Sequence, residues 1–143
     1  METLTTNAEA DVSLKVKVFD FFSGCGGASR GFQEAGMDVV FALDQDEDAK
    51  QTFKQNFPSA IFHVGDIRNA NEDSVYELVD QERPHPILFC GCAPCQPFTK
   101  QNTSRPQPNM DDRVPLLLEF LRFVKRCKPD IVFVENVPGI QNV

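Results

Sequence analysis

A doubly wound α/β fold around a mainly parallel sheet is predicted for this 143-residue chain by three features. Five short apolar runs alternate with four segments whose apolar residues recur at the helical period. Links between the runs suit right-handed crossovers, and successive runs deliver polar or flexible residues to one edge, where such sheets bind ligands. The sequence ends shortly after the fifth run, so the sheet is expected to be truncated there.

Each element follows from its own residues. Val16 to Phe22 is apolar at nearly every position, as in a strand covered on both faces. Ala28 to Ala35 reads as a short helix stopped by Gly36, and Val39 to Leu43 as a second buried strand. A helix from Asp46 to Asn56 has Asp46 as its cap and Ala49 and Phe53 on one face. Ile61 to Val64 is a third strand. Val75, Leu78 and Val79 make Ser74 to Gln81 helical, and Ile87 to Cys90 is a strand entered through Pro84 and Pro86. Leu116, Leu117, Phe120, Leu121 and Val124 set the longest helix at about Val114 to Lys128, before a fifth strand at Ile131 to Val134. Residues 1–14 read as a disordered arm, and residues 15–143 as one domain. The long irregular stretch Pro97 to Asp112 reads as a functional loop.

Composition excludes several classes. A hydrophobic content of 41% with 24% charged residues is that of an ordinary globular domain, and no apolar run approaches the ~20 residues of a membrane span. METLTTNAEADVSLK lacks the basic start and apolar centre of a secretory signal, so the expected home is the cytoplasm, or the nucleus in a eukaryote. Five cysteines without framework spacing argue against structural disulfides. A net charge of -7 means that any nucleic-acid role needs positive charge from elsewhere.

Candidate site residues gather where the predicted strands end. Gly24, Gly26 and Gly27 follow the first strand and open a helix, where a backbone can turn tightly and approach a ligand. Asp44 stands 20 residues after Gly24, the spacing at which an acidic side chain accepts from ribose hydroxyls. Gly65-Asp66-Ile67 follows the third strand. Ser29 occupies the third glycine position of a dinucleotide motif, so a nucleoside ligand without pyrophosphate fits better, with S-adenosylmethionine the natural candidate.

Cys90, Cys92 and Cys95 crowd the end of the fourth strand. As metal ligands they are one short of four, with His85, His63 and Cys127 as poor fourths. Cys92-Ala93-Pro94-Cys95 has the spacing of a redox pair, but that motif opens a helix in a different fold. The third reading makes Cys95 a nucleophile, with Pro94 fixing the backbone before it.

FDFFSGCGGASRGF, ALDQDEDA, GDI, GCAPCQPFT and FVENV, in that order, resemble the early motifs of the cytosine-C5 DNA methyltransferase family over Val16 to Val137. The resemblance implies that Cys95 adds to C6 of a cytosine flipped out of duplex DNA, and that Glu135 holds or protonates N3. It implies S-adenosylmethionine as methyl donor and S-adenosylhomocysteine as product, and the cysteine count above leaves no metal expected. Phe22, Gly24, Cys25, Gly26 and Gly27 would line its methionine and adenosine, Asp44 its ribose, and Gln45, Asp66 and Ile67 its adenine. Leu116 would add a backbone contact. Gln45 stands where many members have an aromatic residue, and Cys92 and Ala93 depart from the usual residues before Pro94. The family's later motifs and target recognition region lie beyond FVENV, so the chain is expected to be a fragment or one subunit, inactive alone and completed by a second polypeptide. A tRNA cytosine-C5 methyltransferase and a non-catalytic remnant that binds cofactor or partner are the alternatives.

Overall fold

The computed structural model describes residues 13–94 and 114–135. Five strands form one parallel sheet in the order β3-β2-β1-β4-β5: β1 Lys17–Phe21, β2 Asp38–Asp44, β3 Ile61–Val64, β4 Ile87–Gly91 and β5 Ile131–Phe133. Helices α1 (Gly27–Glu34), α2 (Glu47–Asn56), α3 (Glu72–Glu82) and α4 (Val114–Cys127) make the crossovers. Of the expected arm, residues 1–12 lie outside the described residues, as does the Pro97 to Asp112 loop.

The strands' alternation sorts their side chains into two cores. Phe19 and Phe21 of β1, Phe41 and Leu43 of β2 and Phe89 of β4 point to the α3/α4 side, where Phe120, Phe123, Val75 and Val79 meet them. The phenyl rings around Phe21 lie with centroids 5.0 to 5.8 Å apart, tilted or edge-on. Val18, Ala42, Leu88 and Cys90 point the other way, against Phe53 and Phe57 from α2 and its end. The β1–β2 register shifts between Val18 and Phe19, which skips Val40 and keeps Phe41 and Leu43 on the aromatic face.

Local chemistry explains the boundaries. Asp46 caps α2 as expected, its carboxylate accepting from the amides of Asp48 and Ala49. Helix α3 begins at Glu72, two residues before the expected Ser74, because the Asn71 side chain accepts from the Asp73 and Ser74 amides. A short 3-10 turn at Ile67–Asn69, capped by Asp66, was not foreseen. Gly91 ends β4 beneath α4, where a Cβ would lie 2.6 Å from the Phe120 ring. No helix among the described residues is long and apolar enough to cross a membrane.

Candidate functional site

Parallel strands align their carboxyl ends, so the residues just after β1, β2, β3 and β4 share one edge. Phe22 leaves β1 with φ 63, a left-handed backbone that a bulky residue rarely adopts, and its amide and that of Ser23 donate to the Leu43 carbonyl. The turn continues through Gly24 at φ 51 and Gly26 at φ 94 into α1. Asp44 closes it. One carboxylate oxygen accepts from the Gly24 amide at 2.7 Å and the other from the Asp46 amide at 2.9 Å. Each oxygen keeps a lone pair for a further donor.

Next to this loop, Asp66 caps its 3-10 turn and pairs with Arg68, whose hydrogen bonds hold its carboxyl below the usual carboxylate range. Phe22, Leu43, Asp44, Gln45, Gly65, Asp66, Ile67, Cys92, Pro94 and Leu116 line a small cleft of about 100 Å³. Ile67 is fixed from behind. Arg122 of α4 donates to the carbonyls of Ile67 and Ala70 at 3.1 and 3.3 Å and pairs with Glu72 at 2.6 Å.

Six expected contact residues therefore meet at one cleft: Phe22, Asp44, Gln45, Asp66, Ile67 and Leu116. Gly24 joins them through its amide on Asp44. Cys25, Gly26 and Gly27 do not line the cleft. Cys25 is exposed, and Gly27 is the first residue of α1. Gly26 has a packing reason to be glycine, since a Cβ there would stand 2.7 Å from Phe57 and 2.9 Å from Phe53. Glu135 is exposed just past β5, and Cys95 lies outside the described residues.

Gly65, named with Asp66 and Ile67, also lines the cleft; sequence reasoning missed Leu43, Cys92 and Pro94 as cleft residues, although Leu43 adjoins Asp44 and Pro94 adjoins Cys95. It also missed Asp20, fully buried on β1, whose carboxylate accepts from the Ser29 hydroxyl at 2.6 Å and so ties the first turn of α1 to the strand below it. Burial pushes this carboxyl up to about 6, further than the Ser29 hydrogen bond pulls it down. A polar residue inside an apolar run was the available signal. Among the described residues no three His, Cys, Asp or Glu side chains converge as a metal site.

Residues 16–143 match the family described as C-5 cytosine-specific DNA methylase. The type II methyltransferase M.NgoPII of Neisseria gonorrhoeae is 32% identical over 126 residues, 87% of this chain and 34% of that one. M.HgiGI of Herpetosiphon aurantiacus is 34% identical over 122 residues, which are 85% of this chain and 90% of that relative. This chain thus spans about a third of M.NgoPII and nearly all of M.HgiGI. Among solved structures, a protein described as a DNA modification methyltransferase encoded within an E. coli prophage superposes with TM-score 0.68 at 32% identity, covering 88% of this chain and 33% of that chain. DNMT2 of Spodoptera frugiperda superposes with TM-score 0.59 at 25% identity, covering 90% and 38%. The family and these structural neighbours are S-adenosylmethionine-dependent methyltransferases. With the match running from the residue before β1 through every described strand, the chain belongs to the C-5 cytosine-specific DNA methylase family.

Proposed function

We propose that residues 15–143 form the cofactor-binding and nucleophile-bearing part of an enzyme that methylates C5 of cytosine in DNA, with residues 1–14 outside the catalytic unit. The observation that carries this reading is the cleft: a phenyl ring, two carboxylates and a glycine turn converge beside the strand end that leads to Cys95. Two carboxylates disfavour a phosphate-bearing ligand and suit a nucleoside joined to a cationic sulfonium. On this reading Asp44 accepts from the ribose hydroxyls, Phe22, Asp66 and Ile67 receive the adenine, and Gly24 with Gly26 and Gly27 gives the methionine end room. Gln45 and Leu116 complete the wall, and Cys25 flanks it. When bound, S-adenosylmethionine supplies an electrophilic methyl group.

The residues of this chain prepare the carbon that accepts it. Cys95 follows Cys90 of β4 by five residues, and Glu135 follows Phe133 of β5 by two; Cys90 and Phe133 are register partners on adjacent strands. The two strands that lead to these residues therefore end side by side at one edge of the sheet, which supports a shared role for them. The Cys95 thiolate bonds to C6, and Glu135 protonates or holds N3 as charge spreads into the ring, which makes C5 nucleophilic. After methylation, loss of the C5 proton and cleavage of the S–C6 bond regenerate Cys95. A thiolate suits both halves of this cycle, since it attacks near neutral pH and also leaves.

The chain acts with further polypeptide, on two grounds. It spans a third of M.NgoPII. In addition, β5 pairs only with β4, and Ile131, Val132, Phe133 and Val134 are each 43–46% exposed among the described residues, an apolar surface that suits protein packing. With a net charge of -7 the chain alone binds duplex weakly, so it does not turn over by itself.

The test combines the chain with a polypeptide that supplies the remaining length of a relative, and follows methyl transfer from labelled S-adenosylmethionine to DNA or tRNA. DNA is methylated, and DNA containing 5-fluorocytosine is trapped as an adduct that Cys95→Ser abolishes, while Glu135→Gln lowers the rate about 10²–10⁴-fold. Preference for tRNA, or turnover by the 143-residue chain alone, overturns the corresponding part of the reading.

A further inference from the structure

Two thiols have no part in this chemistry, yet their sulfurs stand 3.5 Å apart: Cys90, buried at the end of β4, and Cys92, half-buried in the turn that follows. Cys92 also lines the cleft beside Pro94. On β1, Asp20 is the register partner of Cys90, equally buried, and its Oδ1 has no hydrogen-bond partner while Oδ2 accepts from Ser29. One thiol thus faces the solvent side, one is shielded, and a carboxylate oxygen beside the shielded one is unsatisfied.

We propose that Cys90 and Cys92 are a redox pair that a hydroperoxide closes into an intramolecular disulfide, deforming the wall of the cleft at Cys92 and Pro94. Cys92 reacts first because only it reaches the cleft. Its thiolate attacks the peroxide O–O bond, giving Cys92–SOH and releasing the second oxygen as hydroxide or alkoxide. Burial and the neighbouring Asp20 and Cys92 push the Cys90 thiol up, so it stays protonated and does not compete for the oxidant. Cys90 then attacks the Cys92 sulfur, its proton moving to the Asp20 carboxylate as the S–S bond forms. The S–O bond breaks, and the hydroxyl departs as water once protonated. The sum balances: two thiols lose two hydrogens, and one hydroperoxide is reduced to water and an alcohol, or to two waters.

The effect on the cleft rests on the cofactor reading above; the disulfide does not. The chain is purified with Cys95→Ser, so that Cys90 and Cys92 are the only cysteines in their tryptic peptide, and is treated with stoichiometric hydrogen peroxide. The peptide is expected to lose the mass of two hydrogens and to regain it with dithiothreitol. Adding Cys90→Ser leaves Cys92 as a sulfenic acid captured by dimedone. No mass loss, sulfinic acid at Cys92 with Cys90 free, or a bridge from Cys92 to Cys25 of another copy overturns the proposal. Calorimetry with S-adenosylhomocysteine on the same protein is expected to show binding about tenfold weaker after oxidation, with no change when Cys90→Ser prevents closure. Equal affinity of the two forms overturns the effect on the cleft, whereas failure of the reduced form to bind counts against the cofactor reading and leaves the disulfide to the mass measurement.

Discussion

The two flanks of the sheet are finished to different degrees. On the β2 side, main-chain amides, capping carboxylates and buried rings close on one another: Gly24 on Asp44, Asp46 on α2, Phe53 and Phe57 against Gly26. On the β5 side the strand is anchored at its amino end, where Asp130 accepts from the Ile87 amide and pairs with Arg83, and it then runs out with its apolar residues exposed. Phe133 meets only the edge of Phe32, at 5.4 Å between centroids, among the rings described. The β2 side is closed on its own residues, while the β5 side, among the described residues, ends in exposed apolar side chains.

The sharpest way to break this contrast is to truncate register partners. Phe89 on β4 is fully buried among Phe19 and Phe21, whereas Val132 opposite it on β5 is 46% exposed. Phe89→Ala is expected to cost about 3–5 kcal/mol in urea unfolding of this chain, and Val132→Ala ~0.5 kcal/mol or less. Cover of β5 by a further polypeptide, as proposed above, is expected to raise the second figure. Equal costs in the isolated chain mean that β5 is already covered, and the difference between the flanks disappears.

Why one flank could be read in advance and the other could not is a matter of range. Apolar runs and helical periods are local, so all five strands and four helices were legible, within two residues where a cap such as Asn71 intervened. Phe22, Asp44, Asp66 and Ile67 were legible because parallel strands force their carboxyl ends together, whatever else the fold does. Exposure of Ile131–Phe133 was not, because the same letters spell a covered or an uncovered strand. Arg122, 55 residues from the Ile67 carbonyl that it holds, and the contact of Cys90 with Cys92 depend on packing that no local pattern encodes. Gly26 was legible as a required glycine, but the rings of Phe53 and Phe57 that crowd it, and so add a packing reason for it, were not.

Gly26 and Gly27 sharpen the β2 flank. Gly26→Ala forces a Cβ into the Phe57 ring at positive φ, for an expected loss of about 2–4 kcal/mol. Gly27 has nothing within 4 Å of its missing Cβ, so Gly27→Ala is expected to be neutral or to stabilise by ~0.4–1 kcal/mol. Unfolding curves decide, and matching losses mean that the turn, not the rings, sets the requirement. A weaker effect is expected at Asp44. Asp44→Asn turns one acceptor into a donor facing the amide of Gly24 or Asp46, and S-adenosylhomocysteine binding should weaken about 10–100-fold by calorimetry. Unchanged affinity removes Asp44 from the proposed ribose contact.

The last effect is a pH dependence seated at Asp20, where β1 joins the flanks. Its carboxyl is raised from 3.8 to about 6 by burial, so the folded chain binds a proton that the unfolded chain has already released. Stability from this group is therefore full below the unfolded value and falls as pH rises from about 4 through about 6, by roughly 2–3 kcal/mol in all. Asp66 and Asp130 act with the opposite sign in a lower window: Arg68 and the Ile87 amide hold them below 3.8, and their contribution is lost as pH falls through those depressed values. The two windows separate on the pH axis, so unfolding at about pH 5 and about pH 7.5 isolates Asp20. Asp20→Asn keeps an acceptor for Ser29 and cannot ionise, so its unfolding free energy should change less between those two conditions than that of the unmodified chain. Identical slopes for the two proteins would mean that Asp20 titrates as an ordinary exposed carboxyl, and burial on β1 would carry no electrostatic cost.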